Sequence, residues 1–325
     1  KMRQQATYYG WDFENVWDIE EGVELPVLNV TGKETKVAIT GEGTLGNPYL
    51  IENEEQLFAL VSEKLPLNAC YTLVADIEVT AMYWTPIGSN GTPAFSGVFD
   101  GGNFTISGVK LNDTYYAYVG LFGYSTGTIK NLNLEAEFKN VDGNIGGIAA
   151  YSTGIIDNCS AKVEIQKRSS NYLGTYYLGG ITGYNIGGII KNCSSEGSVS
   201  TDSGNKSYLG GIVGYNARGT VSGCHSSAAV TASTTNSNHF SGGIAAYSLA
   251  NDNKNALITN CYATGNVSGY YTGGLVGYNC VENNSAIRAI VEYSYATGNV
   301  DGYYAGGLAG YNYSKSTSYD QIIAN

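Results

Sequence analysis

The sequence is poor in proline, tryptophan, histidine and charge. All five prolines and all three tryptophans fall within the first 93 of the 325 residues. Proline cannot donate a hydrogen bond to a β-ladder, so its absence from the rest of the chain suits a stack of central strands. We therefore place an organisational boundary near residue 110.

Charged residues make up 14% of the chain and the net charge is -11, so the surface should repel nucleic-acid phosphates and anionic lipids. We expect no nucleic-acid partner. No apolar run approaches the roughly 20 residues that a membrane helix needs, so we expect no membrane insertion by this chain. No signal peptide opens it, and a signal or anchor would lie outside it.

A short motif recurs along the last two thirds of the chain, as in GGLVGYN at 273–279 and GGLAGYN at 306–312. The tyrosines of its seven copies lie 27, 33, 31, 32, 31 and 33 residues apart. They are Tyr124, Tyr151, Tyr184, Tyr215, Tyr247, Tyr278 and Tyr311. Such a regular period is typical of a solenoid, a propeller or a repeat array.

A second motif follows the first, for example IIDNCSAKVEI at 155–165, in which apolar and polar residues alternate as in a half-buried strand. One repeat cannot bury enough apolar surface to offset ordering about 33 residues, which costs on the order of 50 kcal/mol, so repeats must stack. Propeller blades need a longer unit of roughly 40–50 residues. We predict an all-β protein, a right-handed parallel β-solenoid of about seven rungs, where a rung is one coil of the chain.

Residues 52–64 carry N-cap and capping-box residues at Asn53 and Gln56, which predicts a short helix that caps the N-terminal end. We divide the chain into an aromatic-rich segment at 1–39, which would be the tail of a preceding module, a cap with the first strands at 40–110, and the repeats at 111–325. The repeats are expected to continue beyond the chain.

The repeated GGIVGYN and GGLVGYN motifs, each followed by a strand such as NCYATGNV, resemble GLUG motif repeats. The preceding GNPYLIENEEQLFALV, WTPIGS and FSGVFDGGNFTISGV resemble the leader that commonly introduces such arrays. The resemblance implies bacterial extracellular proteins, many of them adhesins, with some copies accompanying the catalytic part of immunoglobulin A peptidases. It implies no catalytic residues in the repeats.

Four cysteines occupy one strand position in consecutive repeats, with Ser294 in the fifth: Cys159, Cys193, Cys224 and Cys261. Stacked neighbours would have parallel Cβ vectors, a poor geometry for disulfides, so we predict buried free thiols. The two histidines form no zinc motif. The candidate acids do not recur in adjacent repeats at one strand position: Asp142, Asp157, Glu196, Asp202, Asp252, Glu282 and Asp301. We therefore predict no metal, no cofactor and no catalytic residue.

An aromatic residue precedes each glycine pair, and these residues form a second row: Tyr177, Tyr208, Phe240, Tyr271 and Tyr304. Stacked rings of this kind either stabilise a sheet or form a face that binds sugars or proteins. We take this row as the candidate binding site. The asparagines after the motif tyrosines, such as Asn185 and Asn216, should stack as a structural amide row.

The sequence favours a non-catalytic, monomeric adhesive or stalk module of a larger bacterial cell-surface or secreted protein, with a host glycan or extracellular protein as its partner. Two alternatives remain open: a carbohydrate-active β-helix resembling polysaccharide lyases or hydrolases, and an accessory repeat region of an immunoglobulin A peptidase.

We predict that Gly274→Val prevents stable folding, because the backbone at the glycine pair must bend or approach another chain segment closely. Thermal melting followed by circular dichroism checks this. A variant that melts like the parent protein would contradict it.

Overall fold

The computed structural model describes residues 17–18, 27–28, 38–62, 65–88, 93–112, 115–168, 174–282, 287–315 and 321–324. The chain divides into two units, Lys1–Ala38 and Ile39–Asn325. In the first unit, strand Trp17–Asp18 pairs antiparallel with strand Val27–Leu28. Most of the segment predicted at 1–39 lies outside the described residues.

The second unit is a parallel β-solenoid of about seven turns, which confirms the predicted fold class. Each full rung contributes strands to three sheets, here called sheets 1, 2 and 3 in the order in which a repeat enters them. Equivalent residues of successive rungs pair in register: Ile129 pairs with Ile156, and Ile156 pairs with Ile190.

The strands of each sheet are given in chain order. Sheet 1 contains Tyr49–Ile51, Cys70–Leu73, Val98–Asp100, Thr128–Lys130, Ile155–Asp157, Ile189–Lys191, Thr220–Ser222, Ala256–Thr259, Ala289–Glu292 and Gln321–Ala324. Sheet 2 contains Ile77–Glu78, Thr105–Asn112, Tyr115–Val119, Asn133–Gly146, Ser160–Lys167, Thr175–Gly179, Ser194–Thr201, Lys206–Gly210, His225–Ser226, Ala229–Thr231, His239–Gly242, Tyr262–Ala263, Val267–Gly273, Tyr295–Ala296 and Val300–Gly306. Sheet 3 contains Phe122–Ser125, Ala149–Ser152, Thr182–Ile186, Val213–Ala217, Ala245–Ala250, Val276–Val281 and Ala309–Ser314.

The predicted helix is present over Glu54–Val61, between the first two strands of sheet 1. The Asn53 side chain caps it by accepting a hydrogen bond from the Gln56 N–H at 3.0 Å. The Gln56 side chain reaches back one residue further than in the standard capping box and accepts from the Glu52 N–H at 2.7 Å. Leu57 and Leu60 are fully buried, so the helix is packed onto the unit through its apolar face.

The corner between sheets 1 and 2 depends on a residue in the left-handed backbone region. Asparagine fills this position in four rungs, at Asn131, Asn158, Asn192 and Asn260, with φ between 51° and 54°. Asparagine tolerates this conformation because its short side chain hydrogen-bonds locally. Asn158 Nδ2, for example, donates to Asn131 Oδ1 of the preceding rung at 2.9 Å.

The glycine pair forms the corner between sheets 2 and 3, whereas the sequence placed it within one strand. Gly273 ends a strand of sheet 2, and the strand of sheet 3 begins at Val276. A Cβ atom on Gly274 would overlap the carbonyl oxygen of Gly307 and lie 2.7 Å from the Ala296 Cβ. Glycine is therefore required because neighbouring rungs approach each other closely here. The residue of sheet 2 that faces Gly274, Ala296, must also be small.

An alternating row of charges runs along the outer side of sheet 1. Asp100, Lys130, Asp157 and Lys191 occupy one position in four successive rungs. Lys130 lies 3.0 Å from Asp100, and Lys191 lies 3.1 Å from Asp157. Each partly exposed pair contributes little stability on its own, but the alternation places opposite charges next to each other only in this register.

Tyr293 occupies the left-handed corner position in its rung, with φ 49° and its side chain 67% exposed. We expect Tyr293→Asn to raise the free energy of unfolding by about 1 kcal/mol, because a large residue is strained there and its ring is mostly in solvent. Chemical denaturation measures the change.

The matched reverse variant, Asn260→Tyr, should lower the free energy of unfolding by a similar amount. A destabilised Tyr293→Asn protein would contradict the assignment of strain to this corner.

Candidate functional site

The cysteine row is buried inside the corner between sheets 1 and 2. Cys159, Cys193, Cys224 and Cys261 are each at most 2% exposed and carry free thiols, as predicted. Their Sγ atoms lie close to backbone carbonyls, such as 3.1 Å between Cys193 Sγ and the Lys191 oxygen. Burial raises the pKa of the Cys193 thiol well above its ordinary value, so it stays protonated and unreactive.

The five aromatic residues chosen from the sequence form one continuous stack along sheet 2. The ring centroids of neighbours lie 4.8–5.3 Å apart in all four steps from Tyr177 to Tyr304. Tyr208 is 4% exposed and Phe240 is 7% exposed, whereas Tyr304 is 40% exposed. The middle of this row therefore offers a ligand little surface.

The middle is covered by the motif tyrosines of sheet 3, which pack edge-on against it. Tyr208 lies 5.4 Å from both Tyr215 and Tyr247, and Phe240 lies 5.6 Å from Tyr278. The two rows thus form an aromatic double row on either side of the glycine corner. Its cross-strand contacts stabilise the junction of sheets 2 and 3. Ligand binding by this row stays a prediction.

The asparagines that follow the motif tyrosines stack as predicted and are hydrogen-bonded in pairs between neighbouring rungs; Asn185, Asn216 and Asn279 are fully buried. Asn185 Nδ2 donates to Asn216 Oδ1 at 2.8 Å, and Asn279 Nδ2 donates to Asn312 Oδ1 at 3.0 Å. Ser248 stands in the same row between Asn216 and Asn279 and separates the two bonded pairs.

A polar groove of about 300 Å³ lies on the outer side of sheet 2. Two in-register rows line it, Glu135, Lys162 and Glu196 in one row and Ser160, Ser194 and His225 in the other. Lys162 Nζ lies 3.6 Å from Glu135 Oε1, and both side chains are more than half exposed. The groove therefore offers hydroxyls, carboxylates and a cation to solvent.

A planar stack continues the second row beyond the groove. The His225 ring lies 4.8 Å from the Tyr262 ring, and the Tyr262 ring lies 5.2 Å from the Tyr295 ring, with planes within 7° of parallel. Sequence reasoning missed this groove, although its signal is present: the outward residues after each corner asparagine alternate with inward ones, and their register brings them together.

The acids considered from the sequence are dispersed. Asp157 pairs with Lys191, Asp252 with Arg218, and Asp142 with Lys167. Within the described part of the chain, no three His, Cys, Asp or Glu residues are arranged to hold a metal ion. Among the described residues, no helix is long and apolar enough to cross a membrane.

Two repeats of this solenoid are similar to a known motif. Residues 174–200 and 205–231 match the GLUG motif. These two segments span two successive rungs. Each matched segment contains a glycine pair, a motif tyrosine and a corner cysteine, which confirms the resemblance seen in the sequence.

Two curated relatives are similar in sequence to part of this chain. A "Putative Gly-rich membrane protein" from Evansella cellulosilytica is 36% identical over 118 residues, which is 34% of this chain and 13% of the relative. Halomucin from Haloquadratum walsbyi is 31% identical over 124 residues, which is 36% of this chain and 1% of the relative. The chain thus matches a small fraction of either relative.

Among solved structures, a crystal structure described as a putative immunoglobulin A1 protease from Bacteroides ovatus is similar over 84% of this chain and 86% of that chain. The sequence identity is 21% and the TM-score is 0.49.

Several tyrosines of the double row resist ionisation. Burial, followed by the charges of neighbouring tyrosines, raises the pKa of Tyr151 to about 12, and burial raises the pKa values of Tyr208, Tyr215 and Tyr278 as well. Because these pKa values exceed the unfolded value near 10, their contribution to stability is complete below pH 10 and is lost as pH rises through the folded-state pKa values.

We therefore predict that the free energy of unfolding falls between pH 10 and 12, and that the tyrosinate absorbance of the buried tyrosines appears together with loss of structure. Tyr151→Phe should make the fall shallower, whereas Tyr83→Phe, at an exposed side chain, should leave it unchanged. Titration of all tyrosines near pH 10 in the folded protein would contradict this.

Proposed function

We propose that this chain is a non-catalytic adhesive or stalk module of a larger bacterial extracellular protein. The proposal rests on one observation: the repeated side chains contact their counterparts in the next rung. They do so in rows of thiols, amides, aromatic rings and charges. Such a stack makes a stiff body whose length grows by about 4.8 Å with each added rung.

An extracellular location is supported by the GLUG matches and by the names of the relatives, a membrane protein and a halomucin. The chain's net charge of -11 with few charged residues also fits a hydrated surface that avoids other polyanions.

The binding face that we propose is the polar groove on sheet 2, with a glycan as its ligand. Hydroxyls of Ser160 and Ser194 and carboxylates of Glu135 and Glu196 can exchange hydrogen bonds with sugar hydroxyls. The adjoining His225, Tyr262 and Tyr295 rings present amphipathic edges to the same ligand. These residues lie on a rigid sheet, so little ordering is needed on binding.

To test this, the purified chain is screened against immobilised glycans, mucin and immunoglobulin A. We expect a glycan that binds the chain and whose affinity falls at least tenfold in a Glu196→Ala, His225→Ala double variant, because hydrogen bonds in the groove are lost. Lys254→Ala, an exposed change on the loop between sheets 3 and 1, is the matched control and should bind normally.

The same screen includes Tyr208→Ala and Tyr271→Ala. If only these variants lose binding while they melt normally, the aromatic double row is the binding face instead. Binding of no glycan, mucin or immunoglobulin would favour a spacer.

One observation favours a carbohydrate-active enzyme as a second candidate. Glu135 and Glu196 share a strand position two rungs apart, roughly 9.6 Å along the stack, with Lys162 between them. This backbone spacing lies just above the roughly 6.5–9.5 Å that separates the two carboxyl groups in enzymes that invert a glycosidic bond. Release of reducing sugar from a bound glycan, abolished by Glu135→Gln, would establish this candidate.

A further inference from the structure

A lysine is completely buried at the end of a sheet 2 strand. Lys167 follows three inward-facing residues of the strand Ser160–Lys167 and is itself directed inward, with 0% of its side chain exposed. Its Nζ lies 3.2 Å from Asp142 Oδ1, donates to the Arg168 carbonyl at 2.8 Å and sits 3.7 Å from the centre of the Tyr176 ring. The ammonium is therefore held in place on three sides.

The backbone of the neighbouring rung turns the side chain of Asp142 towards Lys167. The register between the two strands shifts after Lys139, so that Val141 pairs with Lys167. Asn140 has φ 53° and Gly143 has φ 125°, both in the region that favours glycine. Between them Asp142 is turned inward, where only 9% of its side chain is exposed.

One oxygen of Asp142 is held by two donors. The Gly143 N–H donates to Oδ1 at 3.1 Å, and Lys167 Nζ approaches the same oxygen. These donors withdraw charge from the carboxyl group and favour attack at its carbon, as donors do in an oxyanion hole.

This pair differs from the other lysine pairs of the solenoid. Lys162 with Glu135 and Lys139 with Glu164 lie on the outer side of sheet 2, with all four side chains at least 40% exposed. Burial of two opposite charges carries a large desolvation cost that their attraction often fails to recover. Desolvation lowers the pKa of Lys167, and the charge of Asp142 only partly offsets this shift. Forming the neutral amine therefore costs less free energy here than at the surface.

We propose that Lys167 and Asp142 join covalently, through an amide bond between Lys167 Nζ and Asp142 Cγ. In this condensation the ammonium transfers a proton to the carboxylate, and the freed amine attacks Cγ. Oδ1, held by Gly143, remains as the amide oxygen. Oδ2 leaves as water and takes two of the three ammonium protons, while the third stays on the amide nitrogen. No oxidant, reductant or co-reactant is needed.

The bond links two rungs whose backbones already pair at this strand end, where the Arg168 N–H donates to the Val141 carbonyl at 2.9 Å. It replaces a buried ion pair by a neutral amide, which removes the desolvation cost of both charges. It also closes a covalent loop across the ladder, which restricts the unfolded chain as a disulfide does.

The intact mass of the purified chain, measured after denaturation, tests the proposal directly. We expect a mass lower than the sequence mass by one water molecule. Tryptic digestion should yield no linear peptide ending at Lys167, because the side chain is acylated, and should yield a branched peptide that contains both residues 142 and 167.

Lys167→Arg keeps the positive charge but removes the amine, so this variant should have the full sequence mass. Lys162→Arg is the matched control and should retain the loss of water. A wild-type chain with the full sequence mass and a linear peptide ending at Lys167 would overturn the proposal. So would a loss of water that persists in Lys167→Arg.

Discussion

The structure depends on pairing each strand residue with the equivalent residue one rung away. In a parallel, in-register stack, whatever occupies a position must be compatible with its own counterparts above and below. Thiols therefore lie on thiols, amides bond to amides and rings stack on rings, while charges alternate in sign along sheet 1. A rung on its own lacks these partners and cannot offset the entropy of ordering its residues.

The sequence predicted the repeat, the parallel stack and the inward cysteines because these follow from period and alternation alone. It also predicted the helix through the cap at Asn53. It misplaced the glycine pair, since the local pattern does not distinguish a strand residue from a corner. The role of Gly274 arises from the carbonyl of Gly307 in the next rung, a contact 33 residues away.

The candidate site was predictable only in part. The aromatic row from Tyr177 to Tyr304 was visible as a repeated residue type, but its burial under the sheet 3 tyrosines depends on how sharply the glycine corner folds the two sheets together. The groove on sheet 2 carries different residue types at one position, Glu135, Lys162 and Glu196, so no repeated letter marks it. Its position follows from the register in which the strands of neighbouring rungs pair, and the backbone structure is needed to establish that register.

Ser248 interrupts the asparagine row of sheet 3 between two hydrogen-bonded pairs. Ser248 and Ser241 are buried in one rung, and their hydroxyls have no hydrogen-bond partner among the described residues. Unpaired buried hydroxyls weaken the coupling of that rung to both neighbours. The same row carries unpaired buried hydroxyls at Ser125 and Ser152, so its amide bonds couple the rungs in pairs, and the rung of Ser248 has no such bond to either neighbour.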